Sequence, residues 1–470
     1  MKALALVAAL GVALYGCTAS QQTVEVPPAP TPAPPAAPAA PPQPVQEPGI
    51  WRITKTEWSA ADEKGFGDFV RRIAESDCMT TIACMQSAAN IYHDSDPPSF
   101  LFHADCAKWV YMLRAYYASK NGLPFSYVDR VAGDNPDLRF SKTSNQALER
   151  RDIVDNGAGI DTLGVLHTLH DEVSTATYRI DPAAQLPVQQ DFYSPKIQPG
   201  SIHAGTAIYD INGHVMIVYQ VAGDGSILYL DANPDEHVTR GFYGPQVPED
   251  PQALGGGFKN FRPLSLVGAQ QLPDGSYLGG HVVLAANEGI PDFSLEQYQG
   301  NVADDKSGDG AKYGSRAAQY RYNNVSLGFY EYVRAAMSNG GFAFNPVYEL
   351  EVTMGAVCGD AKAGTKEADA RVKSALAVLY ADLSTMETQW KARDLRVVYH
   401  GTSFKNTLAD TYAAEVHACT MAKPGDSAAD ATAASAFDRF ADGPAETNVS
   451  GLITKIDDDA PLPPMRPVGN

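Results

Sequence analysis

Three side chains capable of nucleophilic chemistry fall at the ends of regular elements: Cys106, His214 and Asp231. Cys106 follows Asp105 and opens a run in which Cys106, Val110, Leu113 and Tyr117 recur at the spacing of one helix face. The run ends at Asn121 and Gly122, a pair suited to a helix C-terminus. A sulfur in the first turn of a helix meets unpaired amides and the positive dipole end. These favour thiolate over thiol, and they can also hold an oxyanion forming beside the sulfur. The competing assignment is a buried small hydrophobe, a common role for free cysteine.

His214 opens a strand directly after the Asn212–Gly213 turn, and an imidazole is the usual base for a thiol. Asp231 closes the next strand. If those two strands pair through the turn at Gly223 to Gly225, Asp231 arrives beside His214, where an orienting carboxylate belongs; Asn233 is the nearest substitute. His103 and His203 flank the motifs as competing bases. Attack of such a thiolate on an amide would give a thioester on Cys106, to be resolved by water or by an amine.

The elements that must position these groups follow from local pattern. Ser59 with Asp62 and Glu63 resembles an N-cap, and Phe66, Phe69, Val70 and Ile73 follow at helical spacing. A second short helix is expected from Cys84 to Tyr92, and another from Thr162 to Val173. Residues 206–209, 214–221 and 226–230 are rich in β-branched and aromatic side chains separated by tight turns, the signature of three antiparallel strands. Helices first and a meander afterwards predict an α+β domain.

These residues resemble the papain-like cysteine hydrolase superfamily, particularly its NlpC-type and CHAP branches. Asp105 to Val110 is similar to the Asp-Cys-Ser-Gly-Phe-Val signature, with Ala107 and Lys108 in place of the small polar pair. Pro199–Gly200, Gly205–Tyr209 and Gly213–Val218 resemble the family's Pro-Gly-Asp and Gly-His-Val strands. The resemblance implies a Cys106 nucleophile, a His214 base and an orienting Asp231, and a substrate amide in peptidoglycan stem peptides; an envelope protein is the other substrate expected. It covers roughly Leu101 to Pro234. The chain also resembles an uncharacterised bacterial lipoprotein group through its "DANPD" turn at 231–235 and "GGGFKNFRP" at 255–263. Whether that second segment shapes the cleft or packs the domain is open from sequence.

The ends place this chemistry. Lys2, an apolar stretch from Ala3 to Leu14, and then Tyr15, Gly16 and Cys17 resemble a bacterial lipoprotein signal ending in a lipobox. The stretch is shorter than the roughly 20 residues a bilayer span needs, so it is expected to direct export, with Cys17 carrying the lipid. Thr18, where an aspartate would resemble an inner-membrane retention signal, favours the periplasmic face of the outer membrane. Val24 to Pro48 is mostly proline and alanine, a semi-rigid spacer. The chain's formal net charge of −19 argues against nucleic acid as a partner and leaves the lipid as the membrane attachment.

An oxidising compartment pairs structural cysteines, and the five beyond Cys17 leave at least one thiol over. Cys78 with Cys84 and Cys358 with Cys419 are the candidate disulfides, which leaves Cys106 free. Counting alone leaves other pairings open. His167 and His170 are three apart on an expected helix, without a third ligand at suitable spacing. Asp305 to Asp309 lacks the spacing of a calcium loop, so the expectation is no metal and no cofactor.

The expected organisation is a signal at 1–16, a lipidated linker at 17–50, a papain-like α+β domain at 51–292, a mainly helical accessory domain at 293–459 and a disordered tail at 460–470. A helical seam through Val372, Leu376, Leu379, Leu383, Met386 and Trp390 marks the second domain, and 304–314 is expected to be an exposed loop. A non-catalytic envelope scaffold with the same fold is the alternative function.

Overall fold

The computed structural model describes residues 47–302, apart from 99, 224, 245–246 and 248–249, and most of 319–339. Beyond these it describes chiefly 404–421 and 449–455, with isolated positions between. The lipobox with Cys17, the spacer, the 304–314 loop, the pairing of Cys358 with Cys419 and the 460–470 tail lie outside the described residues. Of the expected seam, Val372, Leu376 and Leu383 are described, each helical and buried.

The architecture is mixed helix and sheet, α+β. Helix α1 (Ala60–Glu75) starts at a capping box, in which the Ser59 hydroxyl takes the Asp62 amide and the Asp62 carboxylate takes the Ser59 amide. Helix α2 (Thr81–Gln86) starts and ends earlier than its sequence suggests. The Thr80 hydroxyl caps it, and the Ser87 hydroxyl competes for the backbone at its end, donating to the Cys84 carbonyl. The sulfurs of Cys78 and Cys84 meet at disulfide distance between the two helices, with Cα atoms 4.9 Å apart.

Helix α3 (Cys106–Asn121) is buried on every side, and only Lys108, Lys120 and Asn121 are not classed with the core. The single apolar face read from the sequence is therefore part of a helix that runs through the centre. It ends at Gly122, whose φ of 63° and close approach to Thr54 both require glycine. Its one buried cation, Arg114, is held by a bidentate ion pair to Glu63 at 2.6 and 2.7 Å and lies 3.3 Å from the Trp58 ring centroid. Helix α4 (Thr162–Glu172) packs beside α3. A short pair joins β1 (Ile50–Trp51) to β4 (Ile160–Asp161). Between them β2 (Phe125–Ala132) and β3 (Gln146–Ile153) form a hairpin that the sequence did not announce.

The main sheet has six strands. They are β5 (Phe192–Tyr193), β6 (Ala207–Asp210), β7 (His214–Val221), β8 (Ile227–Ala232), β9 (Val238–Phe242) and β10 (Gly257–Phe261), in the order β5-β10-β6-β7-β8-β9. All its pairings are antiparallel. The 255–263 segment thus supplies a strand and packs the domain. Alternation divides the faces: Ala207, Tyr209, Val215, Ile217 and Leu230 join the core containing α3, whereas Ile208, Met216, Val218 and Ile227 face the other way.

A sheet apolar on both faces needs cover on both. The second face receives Tyr332, Val333, Ala336 and Met337 of a helix at Phe329–Met337, together with Tyr320. These residues lie beyond Phe293, where the sequence suggested that a separate body begins. Among the described residues no helix is long and apolar enough to cross a membrane.

Candidate functional site

Cys106 is the first residue of α3 and a free cysteine, 8% exposed. Asp105 caps the helix: its Oδ1 takes the Lys108 amide at 3.2 Å and its backbone carbonyl takes that of Trp109 at 2.8 Å. Among the described residues the amides of Cys106 and Ala107 have no acceptor, and they point out of the helix tip where an oxyanion would form. The sulfur donates to the Gly213 carbonyl at 3.9 Å, so the helix tip rests on the turn that precedes His214.

Sheet register brings the other two residues together. Ile217 stands opposite Leu230, which sets Met216 opposite Asp231 and leaves Asp231 one same-face step from His214. His214 Nε2 hydrogen-bonds Asp231 Oδ2, and the Cys106 side chain lies near enough to the imidazole to raise its pKa. The structure thus places Asp231 on the His214 ring and Cys106 on the turn that carries His214. Burial opposes charge on the His214 ring, but the Asp231 carboxylate and Cys106 outweigh it and hold its pKa well above the ordinary value.

The competing assignments separate cleanly. His103 Nδ1 pairs with Glu236 at 2.7 Å. His203 faces the Ala204 carbonyl and lines a cleft of about 440 Å³ at the opposite end of β7. Asn233 is spent on the β8–β9 turn, its side-chain Nδ2 donating to the His237 carbonyl at 3.3 Å. On α4, His167 is exposed and His170 lies beside Asp171. Among the described residues no three His, Cys, Asp or Glu side chains could hold a metal together.

Two contributors were missed from sequence. Thr239, opposite Asp231 in β9, donates its hydroxyl to Asp231 Oδ1, so each carboxylate oxygen has a partner. Counting back across the 231–235 turn would have found it, because a hairpin pairs residues at equal distances from its turn. Glu236, in the same turn, adopts a φ of 68° that non-glycine residues seldom take. Its carbonyl accepts from Thr81 and its carboxylate from His103, which together fix the turn beyond the acid. Thr239→Val is expected to cost about 1–3 kcal/mol in urea unfolding by leaving a buried carboxylate oxygen unpaired, whereas Thr239→Ser keeps most of it. Comparisons with protein-family models, with curated proteins and with solved structures found no match to this chain, so the functional reading rests on these residues and their geometry.

Proposed function

We propose that this chain is a lipid-tethered cysteine hydrolase or acyl transferase of the cell envelope, with a papain-like domain that acts on an amide bond of peptidoglycan peptides or an envelope protein. Cys17 carries the lipid, the 17–50 linker spaces the body from the periplasmic face of the outer membrane, and residues beyond 293 form the accessory part. The observation that supports the chemistry is the seating of Cys106, at the tip of α3, on the turn that carries His214, with His214 held by Asp231.

The reaction follows from those contacts. His214 takes the thiol proton, and the Cys106 sulfur attacks the carbonyl carbon. The oxyanion that forms meets the Cys106 and Ala107 amides. His214 then gives its proton to the leaving nitrogen as the C–N bond breaks, leaving a thioester on Cys106 and a free amine. Water or an acceptor amine attacks the thioester while His214 takes the incoming proton, and the sulfur leaves as thiolate. Asp231 holds the imidazole through Nε2 and balances its charge, and Thr239 holds Asp231.

Incubation with purified peptidoglycan stem peptides and with an envelope-protein digest, read by amine release and by intact mass, tests the proposal. An acyl adduct on Cys106 is expected, with amine release lost at least about a thousandfold in Cys106→Ser. Adding an amine acceptor separates transfer from hydrolysis. No adduct on either material, together with a Cys106 thiol indifferent to His214, would leave the scaffold assignment standing.

A further inference from the structure

A loop from Asp134 to Ser141 joins β2 to β3 and is fixed by its own hydrogen bonds. Asp134 accepts the Lys142 amide at 2.7 Å, Asn135 Nδ2 donates to the Phe140 carbonyl at 3.2 Å, and Asn145 Nδ2 donates to the Leu138 carbonyl at 2.9 Å. Buried Arg179 ties this loop to the catalytic turn. Its Nε donates to the Ser141 carbonyl at 2.6 Å and its Nη1 to the Ile211 carbonyl at 2.9 Å.

The loop nevertheless holds Phe140 51% exposed, when a flexible segment would let the ring fold onto the protein. Both that ring and the Cys106 sulfur lie against Gly213. A Cβ added to Gly213 would lie 3.8 Å from the Phe140 ring, and the Gly213 carbonyl is the group that accepts from Cys106.

We propose that Phe140 is a specificity platform, a rigid aromatic surface that receives an apolar group flanking the scissile amide. This deepens the cysteine-amidase reading and rests on it. Arg179 is the positioning residue that keeps the platform and the His214 turn in fixed relation. An apolar substrate group gains contact on the exposed ring, whereas a small polar group gains nothing there.

Two probes of the same chemistry test this in the full chain: iodoacetamide and N-benzyliodoacetamide. Each forms a bond from Sγ to the probe methylene with loss of iodide. The ratio of the two alkylation rates at Cys106, taken within each protein, cancels any change in the sulfur itself. Relative to free cysteine, the native protein should favour the benzyl probe by roughly tenfold. Phe140→Ala should bring the ratio back to that of free cysteine, and Phe140→Trp should restore the preference. Equal ratios in native protein and Phe140→Ala would overturn the platform, as would a native ratio no higher than that of free cysteine. A Cys106 whose iodoacetamide rate ignores His214→Ala would instead sink the underlying cysteine chemistry, so the two failures are distinct.

Discussion

His214→Ala is expected to slow iodoacetamide alkylation of Cys106 on the order of fiftyfold near pH 6.5, with the gap closing near pH 9.5. The size follows from thiolate fractions. A thiol without a cationic neighbour titrates at about 8.5, so only about 1% is thiolate two pH units lower. In the native protein Asp231 and Cys106 hold the His214 pKa well above the usual imidazole value against the opposing effect of burial. An imidazolium beside a sulfur favours thiolate over thiol. The native rate should therefore stay nearly level across the neutral range, whereas the variant's should climb about tenfold per pH unit until its thiol has ionised. Superimposable profiles would mean that the sulfur is only a small hydrophobe at a helix tip. Asp231→Asn is the informative companion, since it removes the charge and keeps a hydrogen-bonding partner for Nε2.

The second large effect concerns stability. Lys259 on β10 is 1% exposed, and burial pushes its amine pKa down to about 7, with Asp181 opposing the shift and Arg262 adding to it. An unfolded chain holds that proton up to about pH 10.4. Between the two values the unfolded state binds more protons, so stability should rise with pH from about 7 to about 10 and gain nothing further above that. Near pH 7 this lysine costs the folded protein on the order of 4 kcal/mol. Lys259→Met removes the charge and keeps the bulk, so it should raise the urea midpoint at pH 7 and lose most of that advantage by pH 10. Identical stability differences at both pH values would show that the ammonium is compensated in the fold.

The parts of this fold that local chemistry determines were visible in the sequence. The capping box at Ser59, the helix beginning at Cys106 and stopping at Gly122, and the meander of β6, β7 and β8 each depend on neighbours within a few residues. The alignment of His214 with Asp231 was visible too, because a hairpin turn at 223–225 fixes which strand ends meet. What sequence hid is tertiary in origin. Strand β3 carries Glu149, Arg150 and Arg151 along a largely solvated edge hairpin, so its pattern lacks an apolar face. Strand β10 is a Gly-Phe-Lys-Asn-Phe segment whose lysine is buried against the usual rule, and only its place between β5 and β6 explains that. Helix α3 displays one face in its spacing but is enclosed on all sides, because tyrosines and Arg114 fill the remaining faces through contacts with distant residues.

The covering of the sheet's second face sets a rule for dissecting the chain. Met216, Val218 and Phe258 share a cluster with Val333 and Met337. Cutting after residue 292 would strip that layer and leave a broad greasy slab open to solvent, prone to self-association. Expression of a minimal folded unit should therefore carry the polypeptide through Asn339, and insolubility of a shorter fragment would report a missing lid on the core, with no bearing on the chemistry proposed at Cys106.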